Sequence, residues 1–317
     1  MLSAPEIAGV KIEPFGLSVV PFLILIGFIL LRLFWTRQLK LAAAGRDPLI
    51  DVTMFSIASL RSGLMVLGAQ YTIIGGVFFM VPVYLQMTLG LDALETGLRI
   101  FPLSVALMAF SFVGTKLSNI WSPRRIVQVG QVILVVSTLV LIDSVSVQLD
   151  RIMFAIGMFT AGAALGLLAS QLGNVTMSSV DSSRSSEVGG VQGVFQNLGS
   201  SLGTALIGSV LIFALTSSFT GAVNASSLPD AVKTQVDSLK QTGVSIIPVD
   251  SINTIAEKQG LSTEDAQQLA SLYEDSQVSS LKIALLALLV FSVFSMAFSR
   301  NIPNTLVARD PSKSPPA

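Results

Sequence analysis

Ile152-Met-Phe-Ala-Ile-Gly-Met-Phe-Thr-Ala-Gly-Ala-Ala-Leu-Gly-Leu-Leu-Ala-Ser170-Gln-Leu-Gly-Asn-Val-Thr-Met-Ser178 carries no charged side chain from end to end. Wound as an α-helix, it is about 40 Å long at 1.5 Å per residue. The hydrocarbon core of a bilayer is roughly 30 Å thick. A stretch this long and this apolar is read as a membrane span. Working outward, six further stretches have the same character: residues 15–34, 62–88, 98–118, 125–146, 189–218 and 281–299. The expected fold class is therefore all-α and integral to the membrane, with seven transmembrane helices.

Composition agrees. Of 317 residues, 51% are hydrophobic and 12% charged, about half the charge of an ordinary soluble chain. The formal net charge is +0, so there is no basic footprint for nucleic acid. The chain has no cysteine and no histidine. Disulfides, thiolate or imidazole metal sites and the commonest general base are thereby excluded. No metal, no cofactor and no enzymatic activity are expected. Residues 1–14 lack the basic start of a secretory signal, and the start reads like the interior of a longer membrane protein.

Basic residues orient the spans. Arg32, Arg37, Lys40, Arg46, Arg61, Lys116, Arg124, Arg125, Arg184, Arg300, Arg309 and Lys313 fall on one side, against Lys11, Arg99 and Arg151 in the short segments on the other; the four lysines from 233 to 282 belong to a long loop, which counts little. The positive-inside rule makes the first side cytoplasmic. The expected location is the cell membrane, with the N-terminus outside and the C-terminus cytoplasmic. Residues 219–280 form an external loop or cap, with helix starts at Pro229, at Asp250 or Ser251, and at Ser262 or Thr263. Between the first two spans, Pro48-Leu-Ile-Asp-Val-Thr-Met-Phe-Ser-Ile57 has apolar residues at helical spacing beside basic neighbours. It reads either as a helix lying on the inner leaflet or as a plain connector.

No span carries an ionisable residue near its middle, so uncharged polar residues become the candidates for a solute site. Gln70 and Tyr71 lie in the second span, and Gln171 and Asn174 in the fifth. Each either lines a cavity or joins helices by hydrogen bonds, a contact worth about 0.6 kcal/mol on average. Small and polar residues also recur on single faces. In the sixth span the stripe is Gly193, Gln196, Ser200 and Gly203; in the third it includes Ser104 and Ser111. Gly162–Gly166 and Gly199–Gly203 are GxxxG pairs, which let helices approach closely. The two stripes are read either as packing within the bundle or as a surface for a second bundle. The loop containing Gly114, Lys116, Arg124 and Arg125 is basic. Its arginines are candidates for pairing with a carboxylate on a neighbouring helix end.

Val81-Pro-Val-Tyr-Leu-Gln-Met-Thr-Leu-Gly-Leu-Asp-Ala-Leu-Glu-Thr-Gly-Leu-Arg-Ile-Phe-Pro-Leu-Ser104, Gly166 to Ser179 and Gly189 to Ala205 resemble the C-terminal half of the major facilitator superfamily. The likeness is to its fourteen-helix drug:proton antiporters. The loop from Gly114 to Arg125 is similar to that family's cytoplasmic motif, keeping the glycine and the terminal basic pair but lacking the acidic residue. The resemblance implies a six-helix half-bundle over 62–299, built as two inverted three-helix repeats. Residues 15–34 would be a linker helix, 35–61 a cytoplasmic connector and 300–317 a cytoplasmic tail. It also implies that the third and sixth spans face an N-terminal half-bundle, and that a small amphipathic solute binds between the halves. Proton coupling would rest on residues of that other half. The alternative expectation is a non-transporting membrane fragment or interaction module.

Overall fold

The computed structural model describes residues 6–7, 10–11, 19–46, 48–258 and 261–304. Nine α-helices occur among them. The chain divides into two units, residues 1–57 and 58–317. All nine helices bar the first lie in the second unit.

In the first unit, β1 (Glu6–Ile7) pairs antiparallel with β2 (Val10–Lys11), Glu6 opposite Lys11. Helix α1 (Val20–Ala43) runs past the expected end of the linker span at 34. Arg37 and Lys40 lie near its C-terminus, where cations are favoured by the helix dipole. Among the described residues the connector beyond holds no α-helix. Asp51 accepts from the backbone of Thr53 at 2.9 Å, and a single 3-10 turn, Val52–Ser56, follows. Ser56 closes that turn on the carbonyl of Thr53. The helical spacing of its apolar residues is thus not continued beyond one turn.

The second unit is the bundle. Helices α2 (Ala58–Val83), α3 (Ala93–Leu117), α4 (Pro123–Ser144), α5 (Arg151–Met177), α6 (Ser185–Ala225) and α9 (Thr263–Ser295) are long enough to cross a membrane. Short connections make α2 to α6 alternate in direction, and α9 follows α6 after the intervening helices of residues 226–262. Pro82, inside α2, has no N–H to give the preceding turn, and the helix widens into a π turn at Tyr84–Thr88. Gly90 then turns the chain at φ 67°, a conformation that side chains disfavour. Asp92 and Glu95 form a capping box that starts α3.

The packing has an internal symmetry. α2 lies along α6 and α5 lies along α3; α2 touches α5 and α4 touches α9. Exchanging α2, α3, α4 for α5, α6, α9 maps these neighbours onto one another. The second triplet starts at the opposite end of the bundle from the first, so the repeats are inverted. Glycines make the close contacts. A Cβ at Gly162 or Gly166 would strike the backbone of α3 at Leu103 and Leu107, and one at Gly199 or Gly203 the backbone of α2 at Gly68 and Thr72. Leu64, Met80, Leu103, Phe154, Met158 and Leu168 fill the interior between them.

At 41 residues, α6 is about 60 Å long, twice what a bilayer core needs. Its excess, the start of α9, and helices α7 (Asp230–Thr242) and α8 (Val249–Lys258) form a cap with its own core. Leu215, Phe219, Val223, Val232, Val236 and Tyr273 are buried there. Tyr273 Oη donates to the carbonyl of Ser245 at 2.8 Å and accepts from the amide of Ile247 at 3.0 Å. Gln277 donates to the carbonyl of Ile247 at 3.0 Å. Residues 244–248 therefore form an extended strap tied to α9. Its end of the bundle is the cap end; the other, with the α3–α4 and α5–α6 connections, is the loop end. The expected tail lies within the described residues only as far as Asn304.

Candidate functional site

The four solute-site candidates go to three places. Gln70 is 3% exposed and donates to the carbonyl of Leu165 at 3.1 Å. It joins α2 to α5 in the bundle interior. Its Oε1 is buried and accepts no hydrogen bond from the described residues. Tyr71 is half-buried, and its Cβ lies against the site of Gly199 on α6.

Gln171 and Asn174 come together at the loop end. Both border a cleft of about 730 Å³, with Ser118, Ser178, Ser182 and Ser185. Their roles differ. Gln171 is buried and donates at 3.0 Å to the carbonyl of Gly114 and at 3.0 Å to Ser170 Oγ. Its amide is committed to the α3–α5 contact. Asn174 is exposed, one turn further along α5, and its longest-range tie is a 3.5 Å contact with the carbonyl of Ser170 in its own helix. It is the side chain here that has capacity for a ligand. The serines add hydroxyl donors and acceptors but no charge.

The second-bundle stripes are placed unequally. Ser104 is exposed and Ser111 half-buried on α3. Gly193, Gln196 and Ser200 are half-buried on α6. Gly203 is buried under α2, where its missing side chain admits the Thr72 backbone, so its place in the outward stripe is corrected. The exposed small and polar residues of α6, Gly190, Asn197, Ser201 and Thr204, run one residue out of phase with the expected stripe; exposed Val194, Leu198 and Leu202 lie between them, and Thr204 Oγ1 donates to the carbonyl of Gly75 on α2 at 3.4 Å. At the loop end of α6, Gln192 donates to Thr176 Oγ1 and to the carbonyl of Gly173, fixing its outward turn.

The basic loop holds to the segment that follows α9 by other means than its arginines. Ser122 Oγ donates to Asn304 Oδ1 at 2.8 Å, and the backbone N–H of Arg124 donates to the carbonyl of Pro303 at 3.4 Å. Among the described residues neither Arg124, half-buried, nor Arg125, exposed, pairs with a carboxylate; Lys116 is exposed. Gly114 is buried because a Cβ would collide with Ser170. Its presence in the motif has a packing cause.

The second unit is thus an inverted-repeat bundle of six candidate membrane spans with a polar cleft at one end, and the first unit holds a seventh candidate span. The chain belongs to the Major Facilitator Superfamily, whose family model matches residues 9–204, more than half of it. It is 25% identical over 244 residues to the Multidrug resistance protein Stp of Mycobacterium tuberculosis, covering 76% of this chain and 43% of that protein. It is 23% identical over 205 residues to the Probable actinorhodin transporter of Streptomyces coelicolor, covering 64% of this chain and 36% of that one. Over 158 residues it is 26% identical to the Multidrug efflux pump SdrM of Staphylococcus aureus, covering 50% and 33%. The chain thus spans less than half the length of these curated relatives.

Proposed function

We propose that this chain is the C-terminal half-bundle, with one linker helix, of a drug exporter of the fourteen-helix drug:proton antiporter type. It acts together with an N-terminal half-bundle. The observation that carries this reading is the row of exposed small and polar residues on α6, Gly190, Asn197 and Ser201, together with exposed Ser104 on α3. Polar and small residues gain nothing against lipid and serve well at a helix interface. The relatives named for multidrug resistance and efflux support the substrate class, small amphipathic molecules.

On this reading the loop end is cytoplasmic, as the basic residues there favour, and the cap is external. The N-terminus lies outside and the C-terminus inside, across a cell membrane. Solute enters from the cytoplasm at the cleft of Asn174 and passes between the halves. The ionisable side chains of α2–α6 stand near the helix ends: Arg61, Glu95, Arg99, Lys116, Arg124, Arg125, Asp143, Arg151 and Glu187. Proton coupling accordingly falls to carboxylates of the other half.

The test is co-expression with an N-terminal half in an efflux-deficient strain. The reading expects export of a fluorescent amphipathic cation by the pair and not by either half. An assembled pair that neither exports nor changes resistance contradicts it.

A further inference from the structure

The π turn that follows α2 meets the cap around a small internal cavity. Tyr84 and Thr88 of the turn line it, with Gln277 and Ser280 of α9, Leu215 of α6 and Ile246 of the strap. Its volume is about 10 Å³, the space of one water-sized sphere. An organic solute, which needs a pocket of hundreds of Å³, does not fit there.

A cavity walled by hydrocarbon alone stays dry. This one has an acceptor that needs a donor. Gln277 is 5% exposed, and its Oε1 is buried and accepts no hydrogen bond from the described residues. Its amide nitrogen donates to the carbonyl of Ile247 at 3.0 Å, so turning the amide over would break that tie. A desolvated oxygen without a donor is a costly arrangement. Two neighbouring hydroxyls have already given their protons elsewhere. Tyr84 Oη donates to the carbonyl of Ser146 at 2.7 Å, and Ser280 Oγ to the carbonyl of Gln277 at 2.8 Å. Both oxygens keep lone pairs to accept with, and the hydroxyl of buried Thr88 can donate as well as accept.

We propose that this cavity binds one water molecule, which bridges the π turn to α9. The water donates to Gln277 Oε1 and to Tyr84 Oη or Ser280 Oγ, and it accepts from Thr88 Oγ1. Three partners are the usual complement of a buried water. A metal cation of similar size would be desolvated without a counter-charge, since no carboxylate is among the described lining residues. Thr88 also borders the larger cap cleft, with Met87 and Gly90, and water exchanges by that route. The site goes beyond the transport reading. It is built from this chain alone and needs neither a second bundle nor turnover.

The experiment is X-ray radiolysis of the full chain in detergent, with the oxidation of single side chains followed by mass spectrometry. A bound water releases hydroxyl radicals in place, so a buried side chain beside it is oxidised without access to bulk solvent. Met80 and Met158 are both fully buried. Met80 lines the proposed water site, whereas Met158 borders a gap with no room for water. Met80 and Tyr84 should be oxidised and Met158 should not. A radical scavenger in the bulk should protect half-buried Met87 and leave Met80 unprotected. Thr88→Val combined with Gln277→Leu removes two of the three partners and should abolish the oxidation of Met80. Oxidation of Met80 no faster than that of Met158, protection of Met80 in step with Met87, or an unchanged Met80 in a folded double variant would overturn the proposal. Should the double variant not fold, the comparison of Met80 with Met158 and Met87 on the unaltered chain decides alone.

Discussion

The side-chain amide of Gln171 donates to the backbone carbonyl of Gly114 at 3.0 Å, where α3 crosses α5. The two residues are mutually dependent. Gly114 lets the helices approach, because a Cβ there would occupy the place of Ser170. The approach then brings the carbonyl within reach of the glutamine. Replacing Gln171 with leucine keeps the volume and removes the bond, leaving that carbonyl without its partner from α5. Gln171→Leu should cost about 1–2 kcal/mol of stability, read as a lower unfolding midpoint in detergent. Asn174→Leu, on the exposed side of the same helix, should change stability by less than about 0.5 kcal/mol. Its effect should fall on solute binding at the loop-end cleft instead. Equal midpoint losses in the two variants would show that the two residues do not differ in role.

Gly203 and Gly193 are both on α6, yet only the first lies against another backbone. A Cβ at Gly203 would strike the carbonyl of Thr72; one at Gly193 meets nothing within 4 Å. Gly203→Ala should destabilise the bundle by about 1–3 kcal/mol through overpacking. Gly193→Ala should be neutral or stabilising by up to about 1 kcal/mol, since alanine is the better helix former. Thermal unfolding of both variants in the same detergent checks the contrast.

Tyr273 holds the strap of the cap through one hydroxyl. Tyr273→Phe keeps the edge-to-face contact with Phe219, now at 5.3 Å, and removes the bonds to Ser245 and Ile247. Amide exchange over Ser245–Ile247 should accelerate by about tenfold, equivalent to ~1.4 kcal/mol for lost hydrogen bonds. Exchange in α3 and α5 should not change.

The cap also has an acid-sensitive tether. Asp237 Oδ1 accepts from Lys240 at 2.6 Å and from Asn224 at 2.8 Å. The hydrogen bond from Lys240, then that from Asn224, holds its carboxyl below the usual carboxylate range. A depressed folded pKa means the contribution is present above the unfolded pKa and lost as pH falls through the folded one. The α6–α7 link should thus be intact at neutral pH and loosen only below about pH 4. Asp237→Asn should abolish that dependence. Amide exchange of α7 between pH 3 and 6 tests it, and the effect should be small because the group is exposed.

Much of the fold was legible because a bilayer imposes a length and an apolarity that chain chemistry displays directly. The spans at 98–118, 125–146 and 152–178 match α3, α4 and α5 within a few residues. Where soluble structure continues a helix, apolarity ends before the helix does. That is why α6 reaches Ala225 and α9 begins at Thr263. The facing of α6 was legible only in part. Glycine and serine populate both its sides, one for close packing at Gly199 and Gly203 and one outward at Ser201. Spacing alone cannot separate two small faces. Which of its two readings Gln171 follows was not legible for a different reason: its partner is a backbone carbonyl 57 residues away, which carries no side-chain signature.

The central claim is that the polar face of α6 meets a second bundle. Because the chain has no cysteine, a single introduced thiol reports one position. Nitroxides at Ser201→Cys and Val290→Cys, both exposed in this chain, can be compared in lipid with and without a co-expressed N-terminal bundle. The reading predicts that the Ser201→Cys label loses its accessibility to dissolved oxygen when the bundle is present, while the Val290→Cys label keeps it. A Ser201→Cys label that stays as accessible as the one at Val290→Cys in an assembled pair would contradict it.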